Sequence, residues 1–388
     1  QPDITPNLDY FIFSVLLRKQ MSTFQEKLRR WSFFRQGLNQ SETNIAQALQ
    51  KVIGIYSAHP TGPLSLWNRM QSFDHACFQT LDQQQLAVRI PAMRLSVHQV
   101  PVAYAPYVFA ATIPPKASDY WQKRYAQRTL SQADFLAWRP EIRALTQTPQ
   151  MAKNLKKEIS FPGEKLKFVL NRMAFEGDLL RVGSQSLRAN TISYVTTTAW
   201  VNAWPEEHLQ TIPQAEALRW LAKAYFKAFG PATIKDFQWW AGITATTAAQ
   251  AVANLDLANL EAQYYLPAED LEDFEKFNLV IPQAQQVVIL PQWDAYLMGY
   301  APEGRGRLVD AQDLPKVYGQ LGATGGNALG TILMDGKAVG NWKHKFKGTQ
   351  VQFEKSIFNQ LSQKAEKQID EKLHEIGDLM EAKKVMIY

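Results

Sequence analysis

Apolar residues first recur at helical spacing after Asn44, where Ile45, Leu49, Val52 and Ile53 share one face before Gly54. Leu64, Leu66, Trp67 and Met70 predict a second short helix, and Asp74 to Leu81 a third. Leu86 to Pro101 reads as extended chain. From Glu164 to Glu176 the pattern is sharper: Leu166, Val169, Leu170, Met173 and Ala174 fall at i, i+3, i+4, i+7 and i+8, and Gly177 stops the run. Leu179 to Val182, a turn at Gly183-Ser184, and Asn190 to Trp200 then predict a β-hairpin. A further set begins with a helix from Glu216 to Phe229. Thr233 is placed to cap the next helix, Thr244 or Thr246 the one after it, and Glu261 to Leu266 reads as a strand.

Three helices followed by strands is the order of a winged helix. The fold predicted is therefore α+β, with three tandem winged-helix units over residues 21–115, 116–212 and 213–286. Residues 287–388 predict a small β-rich segment and a C-terminal helix. Val287 to Leu290, Gly330 to Met334 and Ala338 to Trp342 read as strands, separated by Gly-rich turns at Gly325-Gly326 and Asp335-Gly336. Ile357, Phe358, Leu361, Ala365, Ile369, Leu373, Ile376 and Met380 keep helical spacing. Met21 reads as a natural start, so residues 1–20 are set aside as an N-terminal extension.

Charge changes this picture by adding a direction. Lys116 to Arg188 holds 14 basic and 7 acidic residues, whereas Ala189 to Pro282 holds 5 basic and 11 acidic, within a chain of net charge +6. The cationic surface is thus concentrated in the second unit, where an anionic partner such as duplex DNA is expected. On the predicted helix Glu164 to Glu176, Lys165, Lys167, Asn171 and Arg172 fall off the apolar stripe, as on a recognition helix. With Lys153, Lys156 and Lys157 these cations are the candidate phosphate contacts, ordinary surface lysines being the alternative.

Cys77 is the single cysteine, which excludes a disulfide framework and a cysteine zinc site and suits a reducing, cytoplasmic location. The six histidines show no metal-ligand spacing, so neither metal nor other cofactor is expected. The apolar run Tyr10 to Leu17 is too short to cross a bilayer, and no membrane partner is expected.

Several segments together resemble the AlkZ-like DNA glycosylase family. They are Met93-Arg94-Leu95-Ser96-Val97-His98-Gln99-Val100-Pro101, Gly230-Pro231-Ala232-Thr233 with Trp239-Trp240-Ala241-Gly242, Leu290-Pro291-Gln292-Trp293-Asp294-Ala295-Tyr296-Leu297-Met298-Gly299-Tyr300, and Asp335-Gly336-Lys337-Ala338-Val339-Gly340-Asn341-Trp342. The resemblance implies three winged-helix units around a concave surface for double-stranded DNA. It also implies hydrolysis of the N-glycosidic bond of alkylated purines, bulky adducts included, in DNA repair or genotoxin resistance. The family holds its water on a Gln-x-Gln or Gln-x-Asp motif, which aligns with Ser57-Ala58-His59.

Ser57 and His59 are therefore the candidate catalytic residues, and three readings of them stand. Neutral His59 acts as general base with Ser57 orienting the water; the site is inactive and the fold only binds duplex DNA; or His59 is a turn residue beside Pro60. Arg94, Ser96 and His98 would share one strand face, so Arg94 and His98 are candidates for phosphate or substrate contact, with an ordinary surface strand as the alternative. Asn327, after Gly325-Gly326, is a further candidate for DNA contact. Trp239-Trp240 reads as core rather than as a base-stacking pair.

Overall fold

The computed structural model describes residues 23–183, 186–189, 191–201, 204, 208–277, 286–319 and 327–388. The extension 1–20, Ser184, Asn190 and Gly325-Gly326 lie outside the described residues. The rest form a mixed α+β protein built on two larger sheets and a two-stranded hairpin.

The first sheet joins β1 (Ile55–Tyr56), β2 (Ala87–Pro91), β3 (Val97–Pro101), β4 (Gln150–Met151), β5 (Leu179–Val182) and β6 (Ser193–Thr196) in the antiparallel order β1-β3-β2-β5-β6-β4. It runs across the predicted boundary at residues 115 and 116. Leu86 to Pro101 is a hairpin rather than one extended run. Arg94 and Leu95, at φ 54° and 58°, fold the chain back through a 3-10 turn over Met93–Leu95. Arg94 accordingly stands on the turn and His98 on β3, so the predicted Arg94-Ser96-His98 strand face does not form.

The helix Leu166–Phe175 forms as its period requires, with Leu166, Val169, Leu170, Met173 and Ala174 each at most 3% exposed. Burying each of the large side chains contributes about 1.5–3 kcal/mol. β5 and β6 supply the predicted hairpin, but the β-branched run turns helical at Thr197–Trp200.

Helices Gln214–Phe229, Ile234–Ala241 and Ala245–Val252 follow, then β7 (Leu257–Asn259) paired with β8 (Tyr265–Pro267). Thr233 caps its helix in a reciprocal box with Asp236, and Thr244, not Thr246, caps the next. Only Tyr265 and Leu266 of the predicted strand are extended, because Glu261–Gln263 is a 3-10 turn.

The second sheet has the order β13-β12-β11-β10-β9, from β9 (Val287–Leu290), β10 (Thr331–Met334), β11 (Lys337–Lys347), β12 (Gln350–Ile357) and β13 (Lys384–Ile387). The C-terminal helix begins only at Gln363, capped by Ser362. Ile357 therefore closes β12, and Phe358 and Leu361 precede the helix. Nor does the helix close the chain, since β13 follows and pairs parallel with β12. Ile369, Leu373, Ile376 and Met380 seal the helix against Val287, Ile289, Ile332, Val351 and Phe353. No helix among the described residues is long and apolar enough to cross a membrane.

Candidate functional site

β1 is the edge strand of the first sheet, and its alternation decides what the site contains. A Cβ on Gly54 would lie 2.6 Å from Val100 Cγ1 and 2.9 Å from the Gln99 carbonyl oxygen, so glycine lets the chain enter β1 tight against β3. Ile55 and Ser57 then turn inward, at 1% and 8% exposure, while Gly54 and Tyr56 line a cleft of about 400 Å³. The position aligned with the family's first glutamine thus lies behind the strand, and Tyr56 takes the cleft face.

Tyr56 pairs in register with His98, their rings edge to face at 5.9 Å, and lies 4.6 Å from Trp293. Met93, Arg94, Trp240, Met298 and Asn327 complete most of the lining. His98 Nδ1 lies 3.2 Å from the Ser96 carbonyl, which can only accept, so the proton sits on Nδ1 and Nε2 is left as an acceptor. Burial, opposed by that hydrogen bond, brings the imidazole down to about 4, and it is neutral at pH 7.

Two neighbouring elements hold Arg94. Its guanidinium lies 4.1 Å over the ring of half-buried Trp239, and Arg305 lies 4.9 Å over the same ring. Gly242 ends the Trp239 helix at φ +75°, and a Cβ there would lie 3.0 Å from Arg94 N and Cα. The Trp-Trp-Ala-Gly segment therefore packs directly on the Arg94 turn. Arg94 Nη1 is buried without a hydrogen-bond partner. Desolvation, with the nearby Arg305 charge, lowers the Arg94 pKa to about 10.

Trp293 also stands on left-handed backbone, at φ 61°, and its indole N–H donates to Asn327 Oδ1 at 2.8 Å. Beside it, Asp294 accepts both Arg69 guanidinium nitrogens at 3.0 Å, both side chains being fully buried, and caps the helix Ala295–Met298. This pair ties the Trp293 turn to the helix Leu64–Trp67, just beyond His59.

His59 faces a separate groove of about 500 Å³, shared with Trp342, Lys343, His344 and Glu354. The Thr61 N–H points at its Nδ1 from 3.3 Å and the Thr61 hydroxyl lies 2.7 Å away, so the neutral ring carries its proton on Nε2 and offers a donor outward. Burial lowers its pKa. Ser57 Oγ has no partner, and the recess it shares with His59, Arg89 and Gln99 measures about 10 Å³, the lower limit for one water.

The cationic candidates fall elsewhere. Lys153, Lys156 and Lys157 project from the helix Ala152–Glu158, directly after β4 at the sheet edge opposite β1. Five strand spacings separate those edges, roughly 24 Å. Lys153, Lys156, Lys157 and Lys167 are exposed, and Lys165 Nζ donates to the carbonyl and hydroxyl of Thr129 at 2.8 Å. Arg172 is a correction: at 3% exposure it pairs with Glu176 at 2.8 Å and lies 3.8 Å over Phe135, inside the fold rather than on a DNA face.

No sequence motif singled out Tyr56, Trp293 or the Arg94–Trp239–Arg305 stack. Alternation counted from apolar Ile55 would have placed Tyr56 in the cleft. Among the described residues no group of three or more His, Cys, Asp or Glu is arranged to hold a metal ion.

A family model described as "DNA glycosylase AlkZ-like" matches residues 50–379. Among solved structures, the Streptomyces sahachiroi DNA glycosylase AlkZ is similar in fold, with a TM-score of 0.70 at 16% identity over 94% of this chain and 98% of that one. No curated protein sequence matches. The family match spans most of the chain and includes the cleft residues from Tyr56 to Asn327, so the protein belongs to the AlkZ-like DNA glycosylase family.

Proposed function

We propose that the protein is a monofunctional DNA glycosylase that hydrolyses the N-glycosidic bond of a damaged purine, alkylated or bulky, in double-stranded DNA. The observation that carries this reading is the cleft at Tyr56, His98 and Trp293. It has the volume, the aromatic walls and a predominantly polar lining that can hydrogen-bond a base turned out of the helix. Tyr56 and Trp293 stack on that base, and His98 Nε2 accepts a hydrogen bond from it or from the attacking water. His59 offers its Nε2–H to the DNA strand from its own groove beside Trp342 and His344. Helix order over residues 214–267, and the helix Leu166–Phe175 followed by β5 and β6, support winged-helix units that hold the duplex, with the exposed lysines on its backbone.

A second reading, duplex binding without catalysis, is favoured by one observation: neither Ser57 nor His59 lines the cleft. Abasic-site formation under single-turnover conditions, on duplex holding a damaged purine, separates the two. The glycosylase reading predicts release by the wild type and by Ser57→Ala, and loss of about 100-fold in His98→Gln. Salt-dependent binding with no release from any lesion would establish the second reading.

A further inference from the structure

Two polar groups of the cleft have their hydrogen-bonding sense fixed by their partners. The Trp293 indole can only donate, so its bond to Asn327 Oδ1 at 2.8 Å orients the Asn327 amide and leaves the Nδ2 hydrogens as what Asn327 offers to the cleft. The Trp293 backbone N–H also donates to the Ala328 carbonyl at 3.0 Å, so the Asn327 segment is tied to Trp293 twice. His98 presents the opposite sense. Its Nδ1–H is committed to the Ser96 carbonyl, which also accepts the Ala92 N–H at 2.8 Å, and Nε2 is therefore an acceptor. Asn327 is exposed, whereas His98 is 7% exposed and stands deeper, on a strand paired with β1 on one side and β2 on the other. One oriented acceptor and one oriented donor in a single cleft match a base edge that carries one of each.

We propose that His98 and Asn327 select the damaged purine by the edge farthest from its sugar: His98 Nε2 accepts an N–H of that edge, and Asn327 Nδ2 donates to the acceptor beside it. This rests on the glycosylase reading above and narrows it to purines that keep an N–H there. A purine attached to the strand through N9 enters with the C6 and N1 side of its ring foremost, which brings that edge to the deeper His98. N7-alkylguanine presents N1–H there with O6 beside it, and N3-alkyladenine presents N6–H with N7 beside it. In 1,N6-ethenoadenine neither N1 nor N6 carries a hydrogen. Its entry would strip His98 Nε2 of water and give it no donor in return, and a buried polar group left unpaired is what makes such discrimination steep.

The test compares single-turnover release from duplexes holding N7-methylguanine or 1,7-dimethylguanine, relative to spontaneous loss, for the wild type, His98→Ala and Asn327→Leu. Both bases are cations leaving through the same bond, and they differ only in the methyl group that replaces the N1 hydrogen. The wild type should accelerate N7-methylguanine release about 100-fold more than 1,7-dimethylguanine release. His98→Ala should lower N7-methylguanine release to the level of the dimethyl base and leave the dimethyl base unchanged, closing the gap. Asn327→Leu removes a contact to O6, which both bases keep, so it should slow both by about tenfold and preserve the gap. Affinity for undamaged duplex within about threefold of the wild type reports that each variant is folded. Equal acceleration of the two bases by the wild type overturns the inference and leaves the glycosylase reading standing. So does His98→Ala raising the dimethyl base to the N7-methyl level, which would mean that the ring excludes the methyl group by size, and so does unaltered release by Asn327→Leu. Release of neither base overturns both.

Discussion

Replacing Arg69 with Met removes one partner of an ion pair in which both side chains are 0% exposed. What remains is Asp294, a carboxylate enclosed in the fold and holding only the Tyr296 N–H at 2.8 Å among its former partners. Breaking a buried pair from one side costs about 3–5 kcal/mol, mostly as desolvation of the stranded charge. A second change, Asp294→Asn, removes that charge while keeping an oxygen to cap the helix Ala295–Met298. The double variant should therefore recover roughly half or more of the loss, a non-additivity of at least about 1.5 kcal/mol. Urea unfolding of wild type, both single variants and the double variant measures it, with the summed emission of the eleven tryptophans reporting global unfolding. A cost under about 1 kcal/mol for Arg69→Met, or strictly additive changes, would refute the claim that this pair clamps the cleft to the helix after His59.

Gly242→Ala combines left-handed backbone with a Cβ 3.0 Å from Arg94 backbone, so it should destabilise by about 2–4 kcal/mol and slow base release; full stability at wild-type activity would remove the packing argument. Burial holds His98 and His344 at about 4, below the ordinary 6.5. Between those values the unfolded chain binds protons that these rings refuse, so stability falls as pH drops from about 6.5 to about 4 and then levels. His344→Phe should flatten part of that fall in urea midpoints, and an unchanged pH slope would count against a neutral, half-buried ring at His344. Ala in place of Lys153, Lys156, Lys157 or Lys167 should each reduce the salt dependence of duplex binding by about one counterion without altering release from bound DNA. Arg172→Ala should instead cost about 3 kcal/mol of stability and leave the salt slope intact, and the reverse pattern would place Arg172 on the DNA face.

Features governed by local periodicity and capping were legible before the structure. The stripe from Leu166 to Ala174, the Thr233 cap and the helix before Gly230 all follow from spacing and side-chain chemistry that neighbouring residues alone decide. The turn at Arg94-Leu95 was not, because no Gly, Asn or Pro marks it and its left-handed backbone is held by Trp239 and Gly242, far away in the chain. Arg172 misled for a related reason: its place off the apolar stripe reads as exposed until Phe135, Gln132 and Glu176 are seen to enclose it. β12 was hidden because Ile357, Phe358 and Leu361 extend the helical spacing backwards across the strand end. For the site, the family alignment drew attention to Ser57 and His59, while the period of two along β1 assigns the cleft to Tyr56.

On the proposed function, the damaged base is read in the cleft of Tyr56, His98 and Trp293. The decisive structure is that of the protein bound to duplex carrying a damaged purine nucleoside fluorinated at C2′, whose glycosidic bond resists hydrolysis. The expected result is a base turned out of the helix and stacked on Trp293 and Tyr56, with His98 within hydrogen-bond distance of its ring. A base left in the helix, or seated instead in the groove of His59 and His344, would contradict it.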